Sequence, residues 1–155
     1  MERVYYDYPT FRADLKALAD RLPDDFDALI AVARGGMTMA HMLGEYLNIR
    51  HVYSLNAIGY DDTRKLDSLQ IFNLPDLQRV RKALIVDDIA DSGETLKAVI
   101  DRLEKANPNT LFQTATLFYK PEKSIVKPHY WVKEAHDEWI DFFWSEDLKE
   151  SSLVV

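Results

Sequence analysis

The middle of the chain contains the stretch Ala83-Leu84-Ile85-Val86-Asp87-Asp88-Ile89-Ala90-Asp91-Ser92-Gly93-Glu94-Thr95-Leu96. Its first four residues are apolar, as is typical of a parallel strand that is buried on both faces. The acidic run of residues 87–91 follows, in which the strand delivers the adjacent carboxylates of Asp87 and Asp88 at its end and a short loop comes after them. A glycine-containing turn then leads into a helix predicted from residue 94 to about residue 106. This order of strand, loop, turn and helix is expected where a parallel sheet joins a crossover helix.

The segments on either side of this stretch repeat the pattern. Apolar residues recur at helical spacing over residues 9–22 and 37–47, which predicts two more helices. The residues of the second helix expected to face the core are Met39, Met42, Leu43 and Tyr46. Short apolar runs predict strands at residues 28–33, 51–57, 68–72, 112–119 and 130–132. The alternation predicts an α/β fold with a doubly wound parallel sheet, formed as one domain over residues 1–155.

Composition excludes several classes of protein. The chain has a formal net charge of −7 and shows no basic stripe of the kind a general nucleic-acid binder carries. It contains no cysteine, which excludes disulfides and thiolate metal sites. No apolar run approaches the roughly 20 residues of a membrane span, and the N-terminus has no basic-then-apolar leader. We therefore expect a cytoplasmic protein that neither binds nucleic acid nor crosses a membrane.

The turn over residues 91–95 has the features of an anion site. It offers backbone N–H groups at a helix N-terminus, together with the hydroxyls of Ser92 and Thr95, and these suit a monoester phosphate. The adjacent Asp87 and Asp88 would repel a phosphate alone, but they suit a sugar hydroxyl or a Mg²⁺ ion that bridges to pyrophosphate. The alternative is an ordinary strand-to-helix turn, because acidic residues near a helix N-terminus are favoured by the helix dipole alone.

Residues 84–96 resemble the phosphoribosyl pyrophosphate motif of type I phosphoribosyltransferases, in which two acids are followed by Asp-Ser/Thr-Gly-x-Thr. The resemblance implies that Asp87 and Asp88 bind the ribose hydroxyls, directly or through Mg²⁺, and that Asp91 is the general base near purine N7. The residues implied to wrap the 5′-phosphate are Ser92, Gly93, Glu94 and Thr95. Glu94 departs from the family, which often has Gly or Lys at this position.

Two further loops resemble elements of the same family. Arg34-Gly35-Gly36 follows the predicted strand at residues 28–33 and is similar to the loop that binds pyrophosphate. Tandem glycines allow close approach and positive φ angles, and Arg34 adds a charged fork, although a plain tight turn is the simpler interpretation. Gly59-Tyr60 resembles part of the mobile loop that closes over the site, for which the alternative is a solvated hairpin.

The C-terminal part of the chain supplies the implied base site. Lys120, at the end of a predicted strand, corresponds to the lysine that reads the purine O6 in the purine members of the family. The stretch Trp139-Ile140-Asp141-Phe142-Phe143-Trp144 resembles the base-binding end of bacterial xanthine-guanine phosphoribosyltransferases and their archaeal hypoxanthine relatives. In that interpretation Trp139 stacks on the purine, and Ile140 and Asp141 present backbone groups to its pyrimidine edge. Core packing is the favoured alternative for the last three aromatics, but not for Trp139.

The resemblance therefore implies an Mg²⁺-dependent purine phosphoribosyltransferase with a small base-binding hood. Its implied substrates are phosphoribosyl pyrophosphate and a 6-oxopurine base (guanine, xanthine or hypoxanthine), as in purine salvage. The family also suggests a homo-oligomer, either a dimer or a tetramer. Three other functions are alternatives at this point: a non-catalytic regulator that binds the sugar donor, a phosphoribosyltransferase for another base such as adenine, and an unrelated doubly wound phosphotransfer domain such as a receiver.

Overall fold

Strands and helices alternate along most of the computed structural model, which describes residues 1–59 and 69–149. The strands are β1 (Arg3–Tyr6), β2 (Ala28–Ala33), β3 (Val52–Gly59), β4 (Leu69–Phe72), β5 (Lys82–Ala90), β6 (Leu111–Tyr119), β7 (Lys133–Glu134) and β8 (Trp139–Phe142). The helices are α1 (Tyr8–Arg21), α2 (Met37–Leu47), α3 (Glu94–Ala106) and α4 (Phe143–Glu146), and a 3₁₀ turn follows at Asp147–Lys149. The predicted α1, α2 and α3 agree with the observed helices to within one residue at each end.

The central sheet has six strands in the order β4-β3-β2-β5-β6-β7. Every neighbouring pair is parallel except β3 and β4, which form an antiparallel edge. This arrangement confirms the predicted α/β fold with a parallel sheet. Because β2, β5 and β6 are neighbours and run in one direction, their carboxyl ends meet at a single edge of the sheet.

Apolar residues cover both faces of this sheet. On one face α1 and α2 pack through Phe11, Leu18 and Leu43, and on the other face α3 packs through Val99 and Leu103. Such double coverage explains why β2 and the first half of β5 are continuous apolar runs.

Two predictions about the core are wrong. Tyr46 is 56 % exposed, and its hydroxyl donates a hydrogen bond to Asp20 on α1, so the ring lies at the surface and not in the core. The strand predicted at residues 130–132 is also misplaced. Tyr130 forms only an isolated bridge to Ala115, and the last strand of the sheet is β7. The ladder is interrupted at Trp131, whose carbonyl accepts a hydrogen bond from Arg21 instead.

The two ends of the described chain form a second, separate sheet. Strand β1 pairs in parallel with β8, and we call this pair the hood ribbon. Its inner face packs on the main core through Tyr6 and Phe142, both of which are buried. Trp144 lies against Phe142 with nearly parallel rings 4.7 Å apart, and Phe143 packs beside them. Core packing of Phe142, Phe143 and Trp144 is therefore confirmed, whereas neither strand of the ribbon was expected from the sequence.

The hood ribbon is attached to the body by a polar cluster. The Tyr6 hydroxyl donates to Asp14 on α1 over 2.5 Å, and Lys133 on β7 forms an ion pair with the same carboxylate over 3.0 Å. Burial, together with the adjacent Asp14 carboxylate, raises the pKa of Tyr6 well above its ordinary value.

Within the described ranges, no helix has both the length and the hydropathy needed to cross a bilayer.

Candidate active site

The carboxyl ends of three adjacent strands carry most of the predicted site residues. Arg34 follows β2, the acidic run lies at the end of β5, and Lys120 follows β6. The sheet order therefore brings together three segments that are distant in sequence, as expected for ligand sites in open parallel sheets.

Strand β5 is longer than predicted, because it continues through the acidic run to Ala90. Asp87 pairs in register with Thr116, and Ile89 pairs with Phe118, so the parallel partner β6 holds this segment extended. Asp87 and Asp88 therefore lie at the end of the strand as predicted, and the short loop predicted after them is wrong at Ile89 and Ala90, which continue the strand. Successive strand side chains point to opposite faces, so the two carboxylates are presented in different directions.

The surroundings of the two carboxylates differ accordingly. Asp87 is only 7 % exposed, and its Oδ1 accepts a hydrogen bond from the backbone N–H of Asp88 over 2.9 Å. Asp88 faces the loop after β2, because a Cβ atom added at Gly35 would lie 2.5 Å from Asp88 Oδ2. A carboxylate is thus placed directly against the loop predicted to hold pyrophosphate.

That loop, Arg34-Gly35-Gly36, packs closely on β5. A Cβ atom at Gly36 would clash with the carbonyl oxygen of Val86, so a side chain does not fit there. Gly36 has φ −88° and serves as the N-cap of α2, and the peptide bond between Ala33 and Arg34 is cis. Neither glycine of this pair has a positive φ, since Gly93 is the one glycine with positive φ in the described ranges. The glycines serve close approach to the strand and to Asp88.

The turn at the N-terminus of α3 packs against Ser124 and Ile125, a segment that the sequence analysis did not identify. Gly93, the N-cap residue, has φ +79°, and a Cβ there would lie 2.5 Å from the Ser124 hydroxyl. The backbone N–H of Ile125 donates to the carbonyl of Ser92 over 2.9 Å. The Ser92 hydroxyl in turn accepts a hydrogen bond from the N–H of Glu94 over 3.3 Å. These contacts fix the conformation of the turn that is predicted to bind an anion.

Lys120 is buried, in contrast to an ordinary surface lysine. It is 3 % exposed, and its Nζ lies 3.5 Å from Asp91 Oδ1. The exposed Lys123 places its Nζ 2.9 Å from the same oxygen, although neither lysine makes a well-aligned hydrogen bond to it. A buried ammonium group requires a compensating charge, and Asp91 supplies it. The contact of Lys123 with Asp91 was missed by the sequence analysis, although Pro121 indicates the turn that produces it.

Trp139 lies on the outer side of the hood ribbon. Its side chain is 48 % exposed, so Trp139 is not a core residue. The indole Nε1–H donates to Asp141 Oδ1 over 3.1 Å, and the same carboxylate accepts two bonds from Arg3. Ile140 between them packs against the main core. The sequence analysis therefore placed Trp139 correctly at the surface, but it missed Arg3 and the side-chain role of Asp141.

An ion pair links the segment after Lys120 to the segment before Trp139. His136 Nδ1 lies 2.8 Å from Glu122, and the backbone N–H of His136 donates to Glu138 over 2.6 Å. The Glu122 carboxylate raises the pKa of His136, and the reciprocal contact lowers the pKa of Glu122.

Of the predicted mobile loop, Gly59 is the last residue of β3, and Tyr60 lies outside the described residues.

Comparisons with known proteins agree with this geometry. Residues 4–151 match the model of the phosphoribosyl transferase domain. The chain is 32 % identical over 139 residues to the xanthine-guanine phosphoribosyltransferase of Idiomarina loihiensis, covering 88 % of this chain and 83 % of that protein.

Solved structures give the same result. The Helicobacter pylori xanthine-guanine-hypoxanthine phosphoribosyltransferase has a TM-score of 0.86 and 39 % identity, with 96 % of this chain and 97 % of that chain covered. A purine phosphoribosyltransferase from Pyrococcus horikoshii has a TM-score of 0.79 and 30 % identity, with 94 % and 95 % covered. The match to the domain model and the similarity to these proteins show that the chain belongs to the phosphoribosyl transferase domain family.

Proposed function

We propose that this protein transfers the 5-phosphoribosyl group from phosphoribosyl pyrophosphate to a ring nitrogen of a 6-oxopurine, releasing pyrophosphate. Membership of the family supports the donor, and the relatives named for xanthine, guanine and hypoxanthine support the acceptor. The proposal includes a homo-oligomer, which rests on the resemblance to the family, and a cytoplasmic setting, which rests on the composition of the sequence.

The observation that carries the proposal is the buried Lys120 ammonium 3.5 Å from Asp91 Oδ1, at the head of the anion-binding turn. An ammonium group only donates hydrogen bonds, so it suits a 6-oxo group and not the 6-amino group of adenine. A carboxylate beside it can accept the proton that a purine ring nitrogen loses when that nitrogen bonds to the sugar. One group to hold the base and one to take its proton thus lie side by side.

The residues present fit a magnesium ion bound together with the donor. Asp87 and Asp88 offer carboxylate oxygens, the ligands that Mg²⁺ prefers, and Asp88 faces the loop that would hold pyrophosphate. In the described residues there is no cluster of three or more His, Cys, Asp or Glu side chains able to hold a metal. The remaining ligands would therefore come from water and the donor. When bound, the ion would neutralise charge on the departing pyrophosphate.

The protein side chains would share the reaction as follows. The N-terminus of α3, with Ser92 and Thr95, holds the 5′-phosphate, and Arg34 stabilises negative charge on the leaving pyrophosphate. The bond between C1 of the ribose and pyrophosphate breaks, and the bond from C1 to the purine nitrogen forms. Asp91 accepts the proton released by that nitrogen. The flat face of Trp139 excludes water from one side of the base.

The experiment is steady-state turnover with guanine, xanthine and hypoxanthine, each with phosphoribosyl pyrophosphate and Mg²⁺. Adenine is the matched control, because it differs from hypoxanthine at the position that Lys120 would contact. We expect turnover of at least one 6-oxopurine and little turnover of adenine. Equal or better use of adenine would contradict the acceptor, and no turnover with any purine would contradict the proposed reaction.

A further inference from the structure

The outer face of the hood ribbon brings Arg3 next to Trp139. Arg3 and Trp139 are register partners in the parallel pair of β1 and β8, and Tyr5 and Asp141 are the next partners on the same face. Alternate side chains of a strand point to opposite faces, and on the opposite face Ile140 packs against the main core while Tyr6 and Phe142 are buried. The guanidinium group of Arg3 on β1 therefore lies beside the indole of Trp139 on β8, although the two residues are far apart in sequence.

Asp141 ties these two side chains together. Its Oδ2 accepts a hydrogen bond from Arg3 Nε over 3.0 Å, and its Oδ1 accepts one from Arg3 Nη2 over 2.6 Å. The same Oδ1 also accepts the indole Nε1–H of Trp139 over 3.1 Å. A two-point bond between guanidinium and carboxylate has a fixed geometry. Asp141 is thereby fixed by Arg3 and in turn fixes the direction of the indole N–H.

Arg3 also covers one side of the indole. Its guanidinium carbon lies over the Trp139 ring, 5.8 Å from the ring centroid, which is within the range of a cation–π contact. Trp139 is nevertheless 48 % exposed, so a large part of its surface is accessible to a ligand. A flat ligand such as a base can then stack on the side that Arg3 leaves open.

We infer that Arg3 is a positioning residue for the base site: it holds Trp139, through Asp141 and through its own contact with the ring, as a fixed platform for the purine. This inference rests on the proposed function. Arg3 does not need to touch the substrate, and it acts by reducing the motion that the indole must lose when a base binds. Lysine does not replace it, because an ammonium group cannot make the two-point bond to Asp141.

The kinetic test compares Arg3→Gln and Arg3→Lys with Arg102→Gln, a control that removes the same charge from an exposed position on α3. We expect Arg3→Gln to raise KM for the 6-oxopurine about three- to tenfold, the scale for freeing one side chain at a binding site, with KM for phosphoribosyl pyrophosphate unchanged. Arg3→Lys should behave like Arg3→Gln. An equal rise in both KM values, or wild-type behaviour of Arg3→Lys, would overturn the inference.

A second measurement needs no purine, so it tests the effect of Arg3 on Trp139 independently of the proposed function. In ¹⁵N-labelled protein the indole N–H signal of Trp139, assigned from its loss in Trp139→Phe, should shift and exchange faster with water in Arg3→Gln. The signals of Trp131 and Trp144 should stay in place, as should all three signals in Arg102→Gln. An unchanged Trp139 signal would overturn the role of Arg3. If Arg3→Gln changes the Trp139 signal but leaves KM for the purine unchanged, the result would instead overturn Trp139 as the platform for the base.

Discussion

The proposed donor half of the site lies mostly on one continuous stretch, residues 83–96, whereas the proposed base half joins residues from both ends of the chain. The donor half consists of the end of β5 and the first turn of α3, both anchored by buried apolar residues such as Val86 and Leu96. The base half consists of Lys120 after β6 and the hood ribbon, in which Arg3 lies beside Trp139. A site formed by residues contiguous in sequence can be recognised as a motif, whereas a site formed by residues distant in sequence cannot.

The two halves also differ in how their charges are held. At the boundary between the halves, Lys120 and Lys123 both lie against the Asp91 carboxylate, and in the base half a second carboxylate, Asp141, binds Arg3 and the indole of Trp139. In the donor half, Asp88 faces Gly35, and Gly36 packs so closely on β5 that an added Cβ atom would clash with the carbonyl oxygen of Val86. Variants in the donor half should therefore change catalysis, and variants in the base half should change purine KM.

The largest expected effect concerns Asp91, at the boundary between the halves. We predict that Asp91→Asn lowers kcat about 100-fold or more, the usual scale for loss of a general base, while affinity for the donor changes little. Steady-state kinetics with both substrates varied would check this. Asp101→Asn, which removes a carboxylate from the exposed face of α3, is the control. An unchanged kcat in Asp91→Asn would exclude Asp91 as the base.

Removal of Lys120 should act on the base half alone. Lys120→Met should raise purine KM about ten- to a hundredfold, because a charged hydrogen bond is worth about 1.5–3 kcal/mol, while KM for the donor stays near that of the wild type. Lys123→Met is the matched control, since Lys123 contacts the same Asp91 oxygen from an exposed position. An equal rise in KM for the purine and for the donor would mean that Lys120 binds the phosphates or stabilises the fold.

Trp139 and Trp144 offer a direct contrast within one segment. Trp139→Ala should raise purine KM about ten- to a hundredfold, since stacking is worth roughly 1–3 kcal/mol per base, with little loss of stability. Trp144 packs against Phe11 and Phe142, so Trp144→Ala should instead lower the free energy of unfolding by about 3 kcal/mol. Purine kinetics and thermal melts of both variants would check this. If Trp139→Ala lost stability and kept its purine KM, the assignment of the two tryptophans would be reversed.

The smallest expected effect concerns two histidines, His129 beside Thr114 on β6 and His136 beside Glu122. Burial lowers the pKa of His129, and the Glu122 carboxylate raises that of His136. The His136 contact therefore stabilises the fold below its unfolded pKa of about 6.5 and loses this contribution as pH rises through the higher folded pKa. An NMR titration should show His136 protonating at higher pH than His129. In Glu122→Gln the pKa of His136 should fall, and the opposite order of titration would contradict the contact.

The sequence predicted most of the secondary structure of residues 83–96 because each of its signals is local. The apolar run of β5, the acids, and the turn before α3 follow one another in sequence. The end of β5 was misjudged, because Ile89 and Ala90 continue the strand only through their pairing with Phe118 and Tyr119 on the distant strand β6.

The base half could be predicted only in part. The burial of Lys120 and the pairing of β1 with β8 arise from contacts between distant residues, which no local pattern reveals. Trp139 was identified through the resemblance to the family and not through periodicity. Arg3, on a four-residue strand near the N-terminus, had no feature that distinguished it from any surface arginine.

The central claim is that both halves work together in one reaction, and the most direct test measures binding and turnover on the same sample. Phosphoribosyl pyrophosphate with Mg²⁺ is titrated calorimetrically, guanine or hypoxanthine is then added, and the purine nucleotide and pyrophosphate are quantified. We predict donor binding followed by equal amounts of nucleotide and pyrophosphate, and loss of product in excess EDTA. Donor binding without product from any 6-oxopurine would contradict the account and would identify the protein as a non-catalytic binder of the sugar donor.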